Sequence, residues 1–120
     1  MKILVVDDSK AMRMIVKRTL RQAGFGHCEV VEAENGVQAL DKVTSESPDI
    51  ILSDWNMPEM TGIELLENLA EKGTSIKFGF VTSEGSDAMR QRATESGALF
   101  LIAKPFNADT FKEILSPHVG

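Results

Sequence analysis

The sequence predicts a doubly wound α/β domain: a five-stranded parallel sheet in the order 2-1-3-4-5, with helices on both faces. Three observations predict it. Short β-branched apolar runs alternate with longer segments of helical period along the whole chain. The first and third runs are almost wholly apolar, as central strands buried on two sides should be, whereas the second carries Glu29 and Glu32 and suits an edge. No repeat, low-complexity tract or Pro/Gly/Ser-rich linker breaks the alternation, so residues 1–120 read as one domain with one core.

The elements follow in order. The strands are ILVV (3–6), EVVEA (29–33), DIILS (49–53), IKFGFV (76–81) and LFLIA (99–103). Between the first two lies a helix with Met12, Ile15, Val16, Leu20 and Ala23 on one face, Ser9 as its N-cap and Gly24 just past its end. The second helix follows Asn35-Gly36 with Val37, Leu40 and Val43 inward. The third, 62–71, places Ile63, Leu66, Leu69 and Ala70 on one stripe. The fourth, 86–96, is more polar, with Ala88, Met89 and Ala93 as its apolar positions. The last runs from an N-cap at Asn107 to a stop at Pro117. Right-handed crossovers between parallel strands give the doubly wound form.

Bulk properties exclude several function classes. The net charge of −5 and pI of about 5.0 argue against binding nucleic acid or an anionic membrane. No apolar run approaches the roughly 18 residues of a membrane span, and the four-residue block in MKILVVDD is too short for a signal peptide. A lone Cys28 excludes an internal disulfide and fits a reducing cytoplasm, the expected location. His27 and His118 alone cannot build a His-based zinc site. Nucleotide binding is not supported either, because neither GxxxxGK[ST] nor GxGxxG follows any strand.

In a doubly wound sheet, ligands bind beyond the carboxyl ends of the strands, at the switch point between strands 1 and 3. Here those ends carry Asp7-Asp8, Asp54, Thr82-Ser83 and Lys104-Pro105. Singly, each has an ordinary reading: a turn aspartate, a helix-cap neighbour, a solvated lysine. Trp55 alone is packing, with a second role as crevice wall. Jointly they bring three carboxylates, a hydroxyl and an ammonium to one crevice. Carboxylates that close repel one another and call for a cation or a raised pKa. Hard oxygen ligands at an open site suit Mg²⁺, which keeps waters and often takes a phosphate oxygen. Lys104 and Thr82 are placed to hold the other oxygens of a phosphoryl group, and a carboxylate is itself a competent phosphoryl acceptor.

DD after strand 1, SDWNMPEMTGIELL around strand 3, VTSE at strand 4 and AKPF at strand 5 together resemble the receiver domain of bacterial response regulators. The WNMP segment is similar to the single-domain chemotaxis members of that family. The resemblance covers the whole chain and implies a flavodoxin-like (βα)₅ fold for residues 1–120. It implies a two-component phosphoprotein in which Asp54 accepts a phosphoryl group from a sensor histidine kinase. It also implies Mg²⁺ ligation by Asp8, Asp54 and the Asn56 backbone carbonyl, with Asp7 acting through water. Thr82 and Lys104 are implied to contact the phosphoryl group, Lys104-Pro105 to be a cis peptide, and Asn56 and Glu84 to tune its lifetime. The resemblance implies switch and output roles for Leu101, Thr82 and Glu84. One of these departs from the pattern: where the family has a Tyr or Phe whose rotamer reports the state of the site, three residues before the strand 5 lysine, this chain has Leu101. Phe100 is adjacent, but alternation along a strand points it to the opposite face.

Helix 1 carries Lys10, Arg13, Lys17, Arg18 and Arg21 and no acid. A solvated face is the default for such a run; docking of the kinase or of a phosphotransfer domain is the alternative favoured here. The family's usual output surface, helix 4 through strand 5 to helix 5, is the expected site for a separate target, since the chain ends at Gly120. A monomer that binds no nucleic acid and enters no membrane is expected. Three other roles compete with motor control: a phosphorelay intermediate or phosphate sink, an aspartyl-phosphate hydrolase, and an unphosphorylated interaction module. The hydrolase reading needs a second acid two residues after the nucleophile, and Asn56 stands there. The complete set Asp7, Asp8, Asp54, Thr82 and Lys104 argues against the module.

Overall fold

A computed structural model describes residues 1–83 and 85–119. The strands β1 (Lys2–Val6), β2 (Glu29–Ala33), β3 (Ile50–Ser53), β4 (Lys77–Thr82) and β5 (Phe100–Ala103) form one sheet. Its order is β2-β1-β3-β4-β5 and every pairing is parallel. The helices α1 (Lys10–Leu20), α2 (Gly36–Glu46), α3 (Gly62–Glu71), α4 (Asp87–Glu95) and α5 (Ala108–Leu115) alternate with the strands as expected.

Alternation along each strand splits the apolar side chains into two layers. Leu4, Val6, Ile51, Phe78, Phe80 and Leu101 face α2, α3 and α4. Ile3, Val5, Ile50, Leu52, Val81 and Ile102 face α1 and α5. Polar caps fix where each helix begins. Ser9, Asn35, Thr61, Ser86 and Asn107 each accept a hydrogen bond from the backbone N–H three residues on. Such a cap is worth about 1 kcal/mol. Thr61 and Glu64 complete a reciprocal capping box. Four of these caps, Ser9, Asn35, Ser86 and Asn107, follow their strands closely, so the chain turns just above the sheet's carboxyl edge and leaves a crevice there.

The inward faces differ from expectation at four positions. Val37 is 49% exposed, because the buried stripe of α2 begins at Gly36 and continues through Ala39. Gly36 has no side chain to mark the pattern, and Met60 lies so close over it that a Cβ there would meet the Met60 side chain at 2.6 Å. In α3 the stripe is Gly62, Ile63, Leu65, Leu66 and Leu69, which leaves Ala70 exposed. In α1 the buried positions are Arg13, Val16, Thr19 and Leu20, and Ile15 is 43% exposed. Ala88 of α4 is also exposed, and of that helix only Ala93 is fully buried. After α1 the chain makes one π-helical turn, Arg21–Phe25, with Gly24 at φ 97°, the left-handed conformation that ends a helix and favours glycine.

Candidate functional site

The crevice is built by letting the sheet's hydrogen bonding run one residue past each strand. Asp7 N–H donates to the Ala33 carbonyl at 3.1 Å, Asp54 N–H to Val6 at 2.9 Å and Lys104 N–H to Thr82 at 2.8 Å. Each side chain therefore stands on backbone as fixed as the sheet itself. Below Asp54 the packing is close: a Cβ on Gly62 would come within 2.3 Å of the Asp54 carbonyl oxygen and 2.7 Å of the Phe80 ring. Only glycine lets α3 begin against that carbonyl. Trp55 is buried and packs on Phe80 with ring centroids 4.7 Å apart, so its main role is to floor the site.

Asp7, Asp8 and Asp54 each offer a carboxylate oxygen, and these lie within 4.8 Å of one another. Asp7 is buried, Asp54 half-buried and Asp8 exposed, a gradient from core to solvent. Lys104 Nζ reaches Asp7 Oδ2 at 3.2 Å and Asp54 Oδ1 at 3.7 Å. One ammonium thus stands against three carboxylates. Asp54 Oδ1 also accepts from Trp55 N–H at 2.8 Å. Burial pushes the Asp54 carboxyl above its ordinary range, with the neighbouring Asp7 charge adding to the rise. Lys104, the Trp55 amide and the Thr82 hydroxyl oppose that shift without cancelling it. The donor set is all hard oxygen, carries an excess of negative charge and opens to water on the Asp8 side, which fits Mg²⁺.

Thr82 is fully buried, and Leu101 is 6% exposed on the same side of the sheet as Phe78 and Phe80. Phe100 lies on the opposite face, over Gly79, where a Cβ would meet its ring at 2.0 Å. Asn56 is exposed, and the Lys104–Pro105 peptide bond is cis. Glu84 lies outside the described residues. The four cations of α1 and Arg21 just after it do not form one free face. Arg13 is only 7% exposed and bonds inward, and Lys17 pairs with Glu32 at 3.2 Å, leaving Lys10, Arg18 and Arg21 turned to solvent. Two features had no sequence signal. One is the inward turn of Arg13. The other is an apolar shelf beside Lys104, where Met12, Ile15, Pro105 and Phe106 line an open hollow of about 310 Å³.

A sequence model of the response regulator receiver domain matches residues 3–116. The chain is 42% identical over its full length to a chemotaxis protein CheY homolog of Campylobacter jejuni, covering 93% of that protein. It is 38% identical, again over its full length, to chemotaxis protein CheY1 of Helicobacter pylori, covering 98% of it. The solved structure of Vibrio cholerae chemotaxis protein CheY4 superposes with a TM-score of 0.85 at 35% identity, over 98% of each chain.

Proposed function

The chain belongs to the response regulator receiver domain family, and from that premise we propose that it is a two-component phosphoacceptor whose Asp54 takes a phosphoryl group from a histidine kinase, in chemotaxis signalling. A single observation carries the reading: Asp54 stands beside Asp7 and Asp8 with Lys104 shared between Asp7 and Asp54. An Asp54 carboxylate oxygen forms a bond to phosphorus while the phosphorus–nitrogen bond of a phosphohistidine breaks; the electron pair stays on the departing imidazole nitrogen, which takes a proton from water. Asp8, Asp54 and the Asn56 carbonyl would hold Mg²⁺, with Asp7 acting through water, and the ion would supply positive charge against the crowded carboxylates and phosphoryl oxygens. Lys104 leaves its carboxylate partners for a phosphoryl oxygen, and the Thr82 hydroxyl donates to another. Asn56 and Glu84 tune how long the aspartyl phosphate survives. The protein acts by stoichiometric switching and at most slow self-dephosphorylation, in the cytoplasm and as a monomer.

The apolar shelf of Met12, Ile15, Pro105 and Phe106, next to Lys104, supports docking of the kinase or phosphotransfer domain on the α1 side. Lys10, Arg18 and Arg21 add the remaining free charge of that helix. The target docks on the α4–β5–α5 face, where Arg90, Ala93, Phe100, Leu101 and Ile114 line a second hollow of about 300 Å³. The test of the acceptor is direct. Acetyl phosphate with Mg²⁺ adds one phosphoryl group by intact mass, and Asp54→Asn abolishes the addition. Persistent labelling of that variant refutes the assignment.

A further inference from the structure

We propose that Arg13 is a positioning residue of the acidic site: it fixes the peptide between Asp7 and Asp8, and so the aim of Asp8 toward Mg²⁺. The inference rests on the phosphoacceptor reading and adds to it a residue outside the ligand set. Arg13 sits in the first turns of α1, where a basic residue ordinarily reaches into water, yet it is only 7% exposed. Its Nη1 donates to the Asp7 carbonyl at 2.7 Å, at the short end for a charge-assisted bond. Its Nε donates to Glu32 Oε1 at 3.0 Å, while Lys17 donates to the other Glu32 oxygen at 3.2 Å. Burial pushes the Glu32 carboxyl up, but the bonds from Arg13 and Lys17 outweigh that and hold it below its ordinary range. The planar guanidinium is therefore gripped on two sides, and a rigid fork held this way dictates where its acceptors lie.

The two acids of this peptide are held differently. The Asp7 carboxylate has its own supports, accepting from Ser9 N–H at 2.9 Å and from Lys104 Nζ at 3.2 Å. The exposed Asp8 carboxylate has no hydrogen-bond partner among the described residues. Its direction follows from the backbone alone. The Asp7 carbonyl and the Asp8 N–H share one rigid plane, so the group that pins the carbonyl also sets the Asp8 Cα. Glu32 ties this plane to the edge strand β2.

Simple electrostatics gives the opposite sign from positioning, and that makes the idea testable. Arg13 is a cation close to a cation site, so if charge were its only role, removing it would tighten Mg²⁺ binding. Loss of a group that orients metal ligands instead weakens binding, by about tenfold at the low end. The experiment titrates Mg²⁺ into wild type, Arg13→Ala, Arg13→Lys and Glu32→Gln, following Trp55 emission and heat, with denaturant unfolding to confirm folding. The expected result is about tenfold weaker binding in Arg13→Ala and a smaller loss in Arg13→Lys, which can keep one of the two bonds. Glu32→Gln keeps the fold and weakens binding in the same direction. Acetyl-phosphate labelling recovers at saturating Mg²⁺. Unchanged or tighter binding in the folded Arg13 variants overturns the proposal, and if neither of these folds, unchanged binding in Glu32→Gln does so. Failure of wild type itself to bind Mg²⁺ removes the phosphoacceptor reading, and the proposal with it.

Discussion

Replacing Asp54 by Asn is expected to stabilise the metal-free protein, an unusual outcome for a change at a functional residue. Asp54 faces two like charges, Asp7 and Asp8, within 4.8 Å, and one opposite charge, Lys104, at 3.7 Å. One repulsion and the attraction cancel to first order. A single uncompensated repulsion remains, worth about 1 kcal/mol in water-like surroundings and about 4 kcal/mol at an effective dielectric of 20. The Asp54 side chain is 12% exposed beside the open Asp8, so screening by water places the gain near the lower end, about 1–2 kcal/mol. Little is lost in exchange. The Asn oxygen still accepts from the Trp55 amide, and Lys104 keeps Asp7 at 3.2 Å. For a chain of this length the gain corresponds to a rise of roughly 4 °C in Tm per kcal/mol.

Its pH dependence follows from the direction of the Asp54 shift. Burial, then the Asp7 charge, raise its folded-state pKa above the unfolded value despite Lys104. The folded wild type therefore binds that proton more readily than the unfolded chain, and its stability improves as pH falls through the folded pKa. The advantage of the Asn variant is complete at neutral pH, shrinks through that window and is gone below about pH 4, the ordinary carboxylate range. Millimolar Mg²⁺ closes the gap from the other side, because only wild type gains fully from binding it. Urea unfolding at pH 7, 5.5 and 4, with and without Mg²⁺, measures all three effects. An Asn variant no more stable than wild type at pH 7 without metal refutes the charge argument. So does a gain that ignores pH, which would have to come from packing.

Gly62→Ala is expected to cost about 2–3 kcal/mol by denaturant unfolding, since its Cβ would press on the Asp54 carbonyl and the Phe80 ring, and labelling of the displaced Asp54 slows. Glu59 holds φ at 70° within a tight turn closed by Met60 N–H to the Pro58 carbonyl, so Glu59→Gly, which adopts positive φ without a Cβ clash, is expected to be tolerated within about 0.5 kcal/mol by denaturant unfolding; a larger loss would mean the Glu side chain holds the loop. Leu101→Ala opens a cavity and costs about 2–4 kcal/mol, leaves labelling of Asp54 nearly unchanged, and narrows the ratio of target affinities between the phosphorylated and free forms; an unaltered ratio makes Leu101 ordinary core.

What was legible in the sequence was whatever depends on strand period and strand ends. The sheet order followed from which runs were wholly apolar. The convergence of Asp7, Asp8, Asp54, Thr82 and Lys104 followed from the order. Helix faces were less legible, because glycine and alanine carry little hydrophobic signal. The α2 stripe starts at Gly36, and a pattern drawn through the larger Val37 is rotated by one residue. Arg13 was illegible for a different reason. Lys10, Lys17 and Arg18 on α1 and Arg21 just beyond it all suggest a solvated row, and nothing in residue type says that this one turns inward. Only the Asp7 carbonyl and Glu32, brought close by the pairing of β1 with β2, make burial of a guanidinium affordable.

The two faces of β5 place Phe100 and Leu101 in different surroundings, which bears on the position where the family has an aromatic. Phe100 is fixed: its ring fills the space left by Gly79 and stacks on His118 with centroids 5.6 Å apart, so moving it would empty two contacts at once. It cannot serve as a mobile reporter. Leu101, on the other face, shares its packing layer with Phe78 and Phe80, and its carbonyl accepts from Arg90 Nη1 at 3.0 Å. Arg90 Nε also donates to the Gly85 carbonyl at 3.2 Å, which ties the segment after β4 to the edge strand. A leucine repacks between rotamers at small cost, while an aromatic ring must swing as a unit. If Leu101 takes the aromatic's place in the proposed switch, that switch is expected to be softer at the side chain, with the backbone tethered through Arg90. The expected outcome is a smaller free-energy gap between the two states, read as measurable target binding by the unphosphorylated protein; no binding before phosphoryl transfer refutes it.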